Sequence, residues 1–321
     1  MFPFRKAPRL PRNVEEVFER ALVRLDAKPL KWKGVTLVFE RRGVTSELNT
    51  AEHLEILDNA PANTPVDGMA IYLGTRLGLP LPDDLALNLA AVRPWLRPRV
   101  LHTRVLEGPS RSMCRRPAFA PVTDDADDSS MLAPAPDLIT AVGIGAGRTA
   151  TYVTTRALDA WGLGFDDVLA MGLSNLRSIL SPSDLRDVEG AEGVLAVTDP
   201  TLETGAAASL VLDHLLPEAH TAHGVLFAVP AEDTTLAMAV RAGAGARSLA
   251  SLVQVVYSIA AETDAPLCET IFWMRSIGPR LSDTAVVAIP MTSVQEGGAR
   301  RVHLEAHGVV EDLLRILGEI E

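Results

Sequence analysis

Gly224-Val225-Leu226-Phe227-Ala228-Val229, then Pro230-Ala231-Glu232-Asp233, then Thr234-Thr235-Leu236-Ala237-Met238-Ala239-Val240 is the stretch that decides the fold class. Its two ends are short, apolar and rich in β-formers, the make-up of strands. A very short link joins them. Parallel neighbours need a crossover of a dozen residues or more, so these two strands pair antiparallel.

The same reading extends in both directions. Downstream, 248–261 reads as a helix with Leu249, Leu252, Val253, Val256, Ile259 and Ala260 on one face. Strands are predicted at 268–275, 284–289 and 301–304. An amphipathic helix over 309–320 closes the chain, packed either in its own core or on a second copy. Upstream, 193–198 reads as a strand and 203–216 as a helix. The strongest helix is 165–180, where Phe165, Val168, Leu169, Gly172, Leu173, Leu176, Ile179 and Leu180 share a face. Asp166 and Asp167 suit its positive end, and Ser181-Pro182 stops it. Strands are expected at 138–144 and 149–154.

Nearer the start, 13–25 reads as a helix capped by Asn13, and 35–41 and 44–48 as strands around Arg42-Gly43. A helix from 50 to 57, helices at 66–77 and 82–92, and a strand near 99–106 follow. Residues 107–136 mix Pro with the acidic run Asp124-Asp125-Ala126-Asp127-Asp128, a composition that cannot bury enough apolar area to order itself. They are read as a linker between an N-terminal α+β domain, 1–106, and a C-terminal domain, 137–321. Several strand pairs have short links, and regular β-α-β-α alternation is absent. The expected class is therefore α+β, with mixed, largely antiparallel sheets and packed helices; a doubly wound α/β sheet is the alternative.

The chain has 321 residues, 47% apolar, within the globular range. The net charge of −11 is uneven: residues 1–43 carry eleven Lys and Arg against five acids, a net +6, which leaves −17 on the rest. Such a body repels phosphate backbones, and aromatics at 5% offer few stacking platforms, so both features argue against nucleic acid. Two distant cysteines, Cys114 and Cys268, make no disulfide framework and suit a reducing compartment. The start has no apolar signal region, and no run approaches the ~18 apolar residues of a membrane span. A cytoplasmic protein is expected.

Motifs give little chemistry. Gly143-Ile144-Gly145-Ala146-Gly147 has the spacing G-x-G-x-G, and a β-branched run follows it. A dinucleotide loop needs G-x-G-x-x-G opening a helix, so these glycines read as a turn between strands. His214, His220 and His223, with Asp213 and Glu218 nearby, lack any tight ligand spacing and read as surface histidines. The acidic run lacks the Gly and Glu of a calcium loop. No G-x-S-x-G elbow is present. Cys114, among Arg111, Arg115 and Arg116, is the better candidate for a reactive thiol, against the plainer reading of a free thiol in a basic loop. No cofactor and no metal are expected.

The segment 138–280 resembles the YtpQ-like family, bacterial proteins built on a domain of unknown function. The likeness rests on the helix carrying Asn175-Leu176-Arg177-Ser178, on Gly205 with Ala208-Ser209-Leu210-Val211-Leu212, and on Ala228-Val229-Pro230 with Asp233 following. Glu232 stands where family members tend to carry a polar or basic residue. The resemblance implies a bacterial cytoplasmic protein and supplies no reaction, substrate or cofactor.

The expected function is a non-catalytic binding or accessory protein acting through a protein partner, because no acid/base pair, nucleophile or metal set emerges while charge is bipolar. Docking-arm candidates are Arg5, Lys6, Arg9, Arg12, Arg41 and Arg42. The alternative is an enzyme or small-ligand binder with a pocket in the C-terminal domain. Asn175, Arg177, Asp233, Glu269 and Arg275 are its candidate residues; Asn175 and Arg177 flank the apolar stripe of their helix. A third reading is an immunity-type protein that neutralises a basic toxin. A homo-oligomer is left open.

Overall fold

The structure, a computed structural model, describes residues 10–54, 65–106, 112–119, 137–145, 151–199, 204–216, 223–276, 284–296, 299–304 and 308–320. The docking-arm candidates Arg5, Lys6 and Arg9, the acidic run 124–128, most of the proposed linker and His220 lie outside them. The fold is α+β. The strands in chain order are β1 (Lys28–Lys33), β2 (Thr36–Arg41), β3 (Val44–Asn49), β4 (Leu96–His102), β5 (Arg115–Pro117), β6 (Leu138–Ile144), β7 (Thr151–Tyr152), β8 (Arg186–Asp187), β9 (Leu195–Thr198), β10 (Val225–Ala231), β11 (Thr234–Ala239), β12 (Ile271–Ser276), β13 (Thr284–Ala288), β14 (Met291–Glu296) and β15 (Ala299–Leu304).

Two compact units emerge: Met1–Arg97 with Gly143–Gly172, and Pro98–Val142 with Leu173–Glu321. In the first, β1, β2 and β3 form an antiparallel sheet in that order. The helix Arg12–Arg24 buries Phe18, Ala21 and Leu22. It begins one residue before the expected Asn13, after Pro11, with no side-chain cap. Arg24 ties it to the neighbouring helices: its guanidinium donates to Asp84 at 2.6 Å and to Asp67 at 3.1 Å. The bond to Asp84 raises the Arg24 pKa against the opposing pull of desolvation. The helix Pro65–Arg76 forms as expected. The expected helix over 82–92 is broken into Asp83–Ala86 and Leu89–Val92, because Asn88 starts a new turn by accepting from the Ala91 N–H.

The second unit is built on a six-stranded sheet, β13-β12-β10-β11-β9-β8, antiparallel at every junction. The stretch 224–240 forms the central hairpin. Glu232 and Asp233 make its turn, and the register slips by a bulge before Ala231↔Thr234. All of β10 is buried, because both faces of the sheet are covered. Leu226 and Ala228 pack with Leu249, Leu252 and Val256 of the helix Ala246–Glu262, and with Val310, Leu313 and Leu317 of the helix Val309–Leu317. Val225, Phe227 and Val229 turn the other way, onto Ala206, Leu212, Val100 and Leu138. Phe119, Phe227 and Phe272 cluster there with ring centroids 5.1–5.2 Å apart, Phe119 edge-on to Phe227 and the other pairs tilted. The closing helix thus packs in its own core.

Several local expectations shift. The strand placed at 99–106 runs Leu96–His102 and ends in a 3-10 turn. Of the strand placed at 149–154, residues 149 and 150 lie outside the described residues and β7 ends at Tyr152; Thr154 instead caps a helix, Thr155–Trp161, by accepting from the Ala157 N–H. The helix expected over 203–216 is a 3-10 segment, Ala206–Val211, followed by one α-turn, Leu212–Leu215. Its start is pinned to the central hairpin: the Ala206 N–H reaches Glu232 O at 3.0 Å, and the Thr235 hydroxyl donates to Gly205 O at 2.8 Å. A Cβ on Gly205 would overlap the backbone of Asp233, so glycine permits this approach.

Candidate docking surface

Lys28-Pro29-Leu30-Lys31-Trp32-Lys33 has no clean alternation, yet it forms β1. Lys28 pairs with Glu40 and Pro29 with Phe39; then Lys31 pairs with Val38, Trp32 with Leu37 and Lys33 with Thr36. Leu30 is left over as a bulge and is 44% exposed. The extra residue turns Lys28 onto the same face as Lys31 and Lys33. Pro29 and Trp32 fall on the opposite face, in line with the buried Leu37 and Phe39. There the Trp32 indole N–H donates to Glu19 Oε1 of the first helix at 2.7 Å.

The outer face is accordingly polar. Lys28, Lys31 and Lys33 are all exposed and share it with Glu40, Thr45, Glu47 and Asn49 of the next two strands. Lys33 pairs with Glu47. Val38 sits between Lys31 and Glu47 in register and is nonetheless buried. The hairpin turn beyond β2 carries Arg42 at φ 50° and Gly43 at φ 79°, the two left-handed positions of a type I′ turn. Arg42 is exposed. Arg41 is half-buried on the inner face, with its Nε shielded from solvent. Arg12 lies on the helix surface, paired with Glu16 at 3.1 Å.

The C-terminal candidates fall in different places. Arg177 donates through one Nη to both oxygens of Asp213, at 3.0 and 3.3 Å, tying Phe165–Ile179 to Leu212–Leu215. Asn175 is half-buried on the former helix, and its carbonyl accepts from the Ser178 hydroxyl at 2.7 Å. Asp233 is a turn residue: its Oδ1 accepts from the Thr234 hydroxyl, and its carbonyl accepts from the Asp199 N–H. Glu269 is half-buried just before β12, near that end of the sheet, where the Leu267 N–H reaches Pro230 O. Arg275 is at the other end of β12, beside Gly224, with its guanidinium 5.1 Å from the Trp273 ring centroid and 3.5 Å from Asp312. The length of β10, roughly 20 Å, separates Asp233 from Arg275.

The remaining motifs resolve locally. β6 and β7 pair antiparallel through Gly143↔Tyr152 and Ile144↔Thr151, with Gly145 at φ 89° just beyond β6; Gly147 lies outside the described residues. A Cβ on Gly145 would overlap the Thr75 side chain. His214 Nε2 lies 3.0 Å from Leu180 O, and the His223 carbonyl accepts from the Trp273 indole. Cys114 and Cys268 are both half-buried, and neither is in a disulfide. Among the described residues, no group of three or more His, Cys, Asp or Glu is placed to hold a metal ion, and no helix is long and apolar enough to cross a membrane.

Sequence reasoning missed the buried His53. Its Nδ1 lies 2.9 Å from the Tyr72 hydroxyl, and the Tyr72 ring leans in turn on Trp95. Burial lowers the His53 pKa, with Arg76 adding to the effect and Glu52 opposing it. Lone histidines in polar stretches carry no sequence signal for burial. No family model, no curated protein and no solved structure matches the chain.

Proposed function

We propose that this chain is a non-catalytic binding or accessory protein of the bacterial cytoplasm, and that it acts through an acidic protein partner docked on the outer face of β1-β2-β3. The observation that carries the reading is the Leu30 bulge, which gathers Lys28, Lys31 and Lys33 on one exposed face. Ammonium groups on a rigid sheet steer and orient an acidic surface at little ordering cost. The resemblance of 138–280 to the YtpQ-like family supports the bacterial, cytoplasmic part of this proposal.

The test is retention of partner from native lysate on the immobilised chain, at low and high salt, beside the variant Lys28→Glu/Lys31→Glu. The expected result is a stoichiometric protein that leaves at high salt, is lost from the double variant and is kept by Arg12→Glu. Equal retention by all three chains would overturn the docking face, and a turnover activity in the purified protein would overturn the non-catalytic reading.

A further inference from the structure

The two edges of the small sheet are built differently. β1 is guarded: Pro29 has no N–H to offer, Leu30 bulges out of register, and three lysines line the strand. β3 has none of these devices. Its register with β2 is unbroken from Arg41↔Val44 to Thr36↔Asn49, its sequence Val44-Thr45-Ser46-Glu47-Leu48-Asn49 holds one charge, and Val44 is 65% exposed. Among the described residues, no strand pairs with its outer side.

The hairpin fixes which backbone groups are free. A two-residue I′ turn is flanked by a hydrogen-bonded pair, here Arg41 and Val44. Val44, Ser46 and Leu48 therefore spend their N–H and C=O groups on β2. Those of Thr45 and Glu47 point outward.

We propose that this edge takes a second copy of this chain, β3 against β3 antiparallel about a two-fold axis at Ser46, giving one continuous six-stranded sheet. The proposal goes beyond the docking reading above. In this register the outward groups of Thr45 meet those of Glu47 on the other copy, twice over. Val44 lies opposite Leu48 on the inner face and gains apolar cover. Glu47 faces the uncharged Thr45 and keeps Lys33 of its own sheet as its partner. The register one step further along would set Glu47 opposite Glu47, a like-charge clash; one step back, Val44 would lose Leu48 as partner. Charge and apolar matching thus select the same axis.

Ser46 on the axis is a non-hydrogen-bonded pair, the site where Cα atoms of antiparallel strands come closest, at about 4.5 Å. The experiment uses the full chain with Cys114→Ser and Cys268→Ser as background. Ser46→Cys is exposed to oxidised glutathione, with Lys31→Cys on the guarded edge as control, and mass is read by light scattering. A second variant, Thr45→Pro, removes an outward N–H and spares the bonds to β2, an edge position where proline is tolerated. The expected results are twice the chain mass for the parent, a covalent dimer for Ser46→Cys alone, and a folded monomer for Thr45→Pro. A monomeric parent, or a dimer that survives Thr45→Pro with its circular dichroism unchanged, would overturn the proposal, as would equal cross-linking of the Lys31→Cys control.

Discussion

The fold favours the neutral form of His53. Burial lowers its pKa from the ordinary 6.5, so below that pH the unfolded chain takes up the proton first. The contribution to stability is complete above about 6.5 and is lost as pH falls through the lowered folded value. Thermal midpoints measured from pH 7.5 to 5 should therefore fall, and the fall should be shallower for His53→Gln. His102 shifts in the same direction, mainly through desolvation with Arg104 adding to it, so the difference between parent and variant isolates His53. Parallel pH curves would show that the ring is not protonation-linked to folding. At this scale the sequence is legible where backbone chemistry is local. Arg42-Gly43 reads as a turn because Gly43 takes a left-handed position without a Cβ penalty, and Arg42 is carried into the same region beside it at φ 50°. Gly205 and Gly224 are not legible, because what forbids a side chain is the backbone of Asp233 in one case and of Met274 in the other, each distant in sequence.

Elements were legible where one pattern, a helical stripe or an unbroken run of β-formers, was uninterrupted. The helix Phe165–Ile179 and the strands β2, β10 and β11 follow their patterns closely. β1 escaped because its bulge shifts the period by one residue midway, so the lysines appear out of phase. The segment Ala206–Val211 departed from an α-helix because tertiary hydrogen bonds to the central hairpin replace its own first turn. The bulge has a counter-intuitive result. Deleting Leu30 leaves the pairings Lys28↔Glu40, Pro29↔Phe39 and Lys31↔Val38 intact and merely regularises the strand. Urea unfolding of the deletion should differ from the parent by no more than about 1 kcal/mol. Deleting Val38 from the middle strand reverses the facing of every residue beyond it and should prevent folding. Equal damage from the two deletions would contradict the assigned register.

In the whole molecule, burial on both faces explains why the six-stranded sheet reads as apolar runs rather than as alternation. The class was legible from link length; which helices cover which face was not, because that depends on residues far apart in the chain. The closing helix supplies Val310, Leu313 and Leu317 to the core of one face, each at most 2% exposed. Leu313→Ala should cost about 3 kcal/mol in urea unfolding, whereas Leu314→Ala, only partly buried, should cost far less. Similar losses for both would mean the helix is docked by another face. The candidate docking face stayed hidden for the same reason that β1 did: its charges converge only once the bulge is in place.

The division of the chain also bears on its synthesis. The first unit joins Met1–Arg97 to Gly143–Gly172 and thus cannot close when residue 97 leaves the ribosome. At ~5–20 residues per second, the N-terminal portion waits several seconds for its missing piece. During that interval the unguarded β3 is already available, and nascent chains on one messenger bring many copies of it close together.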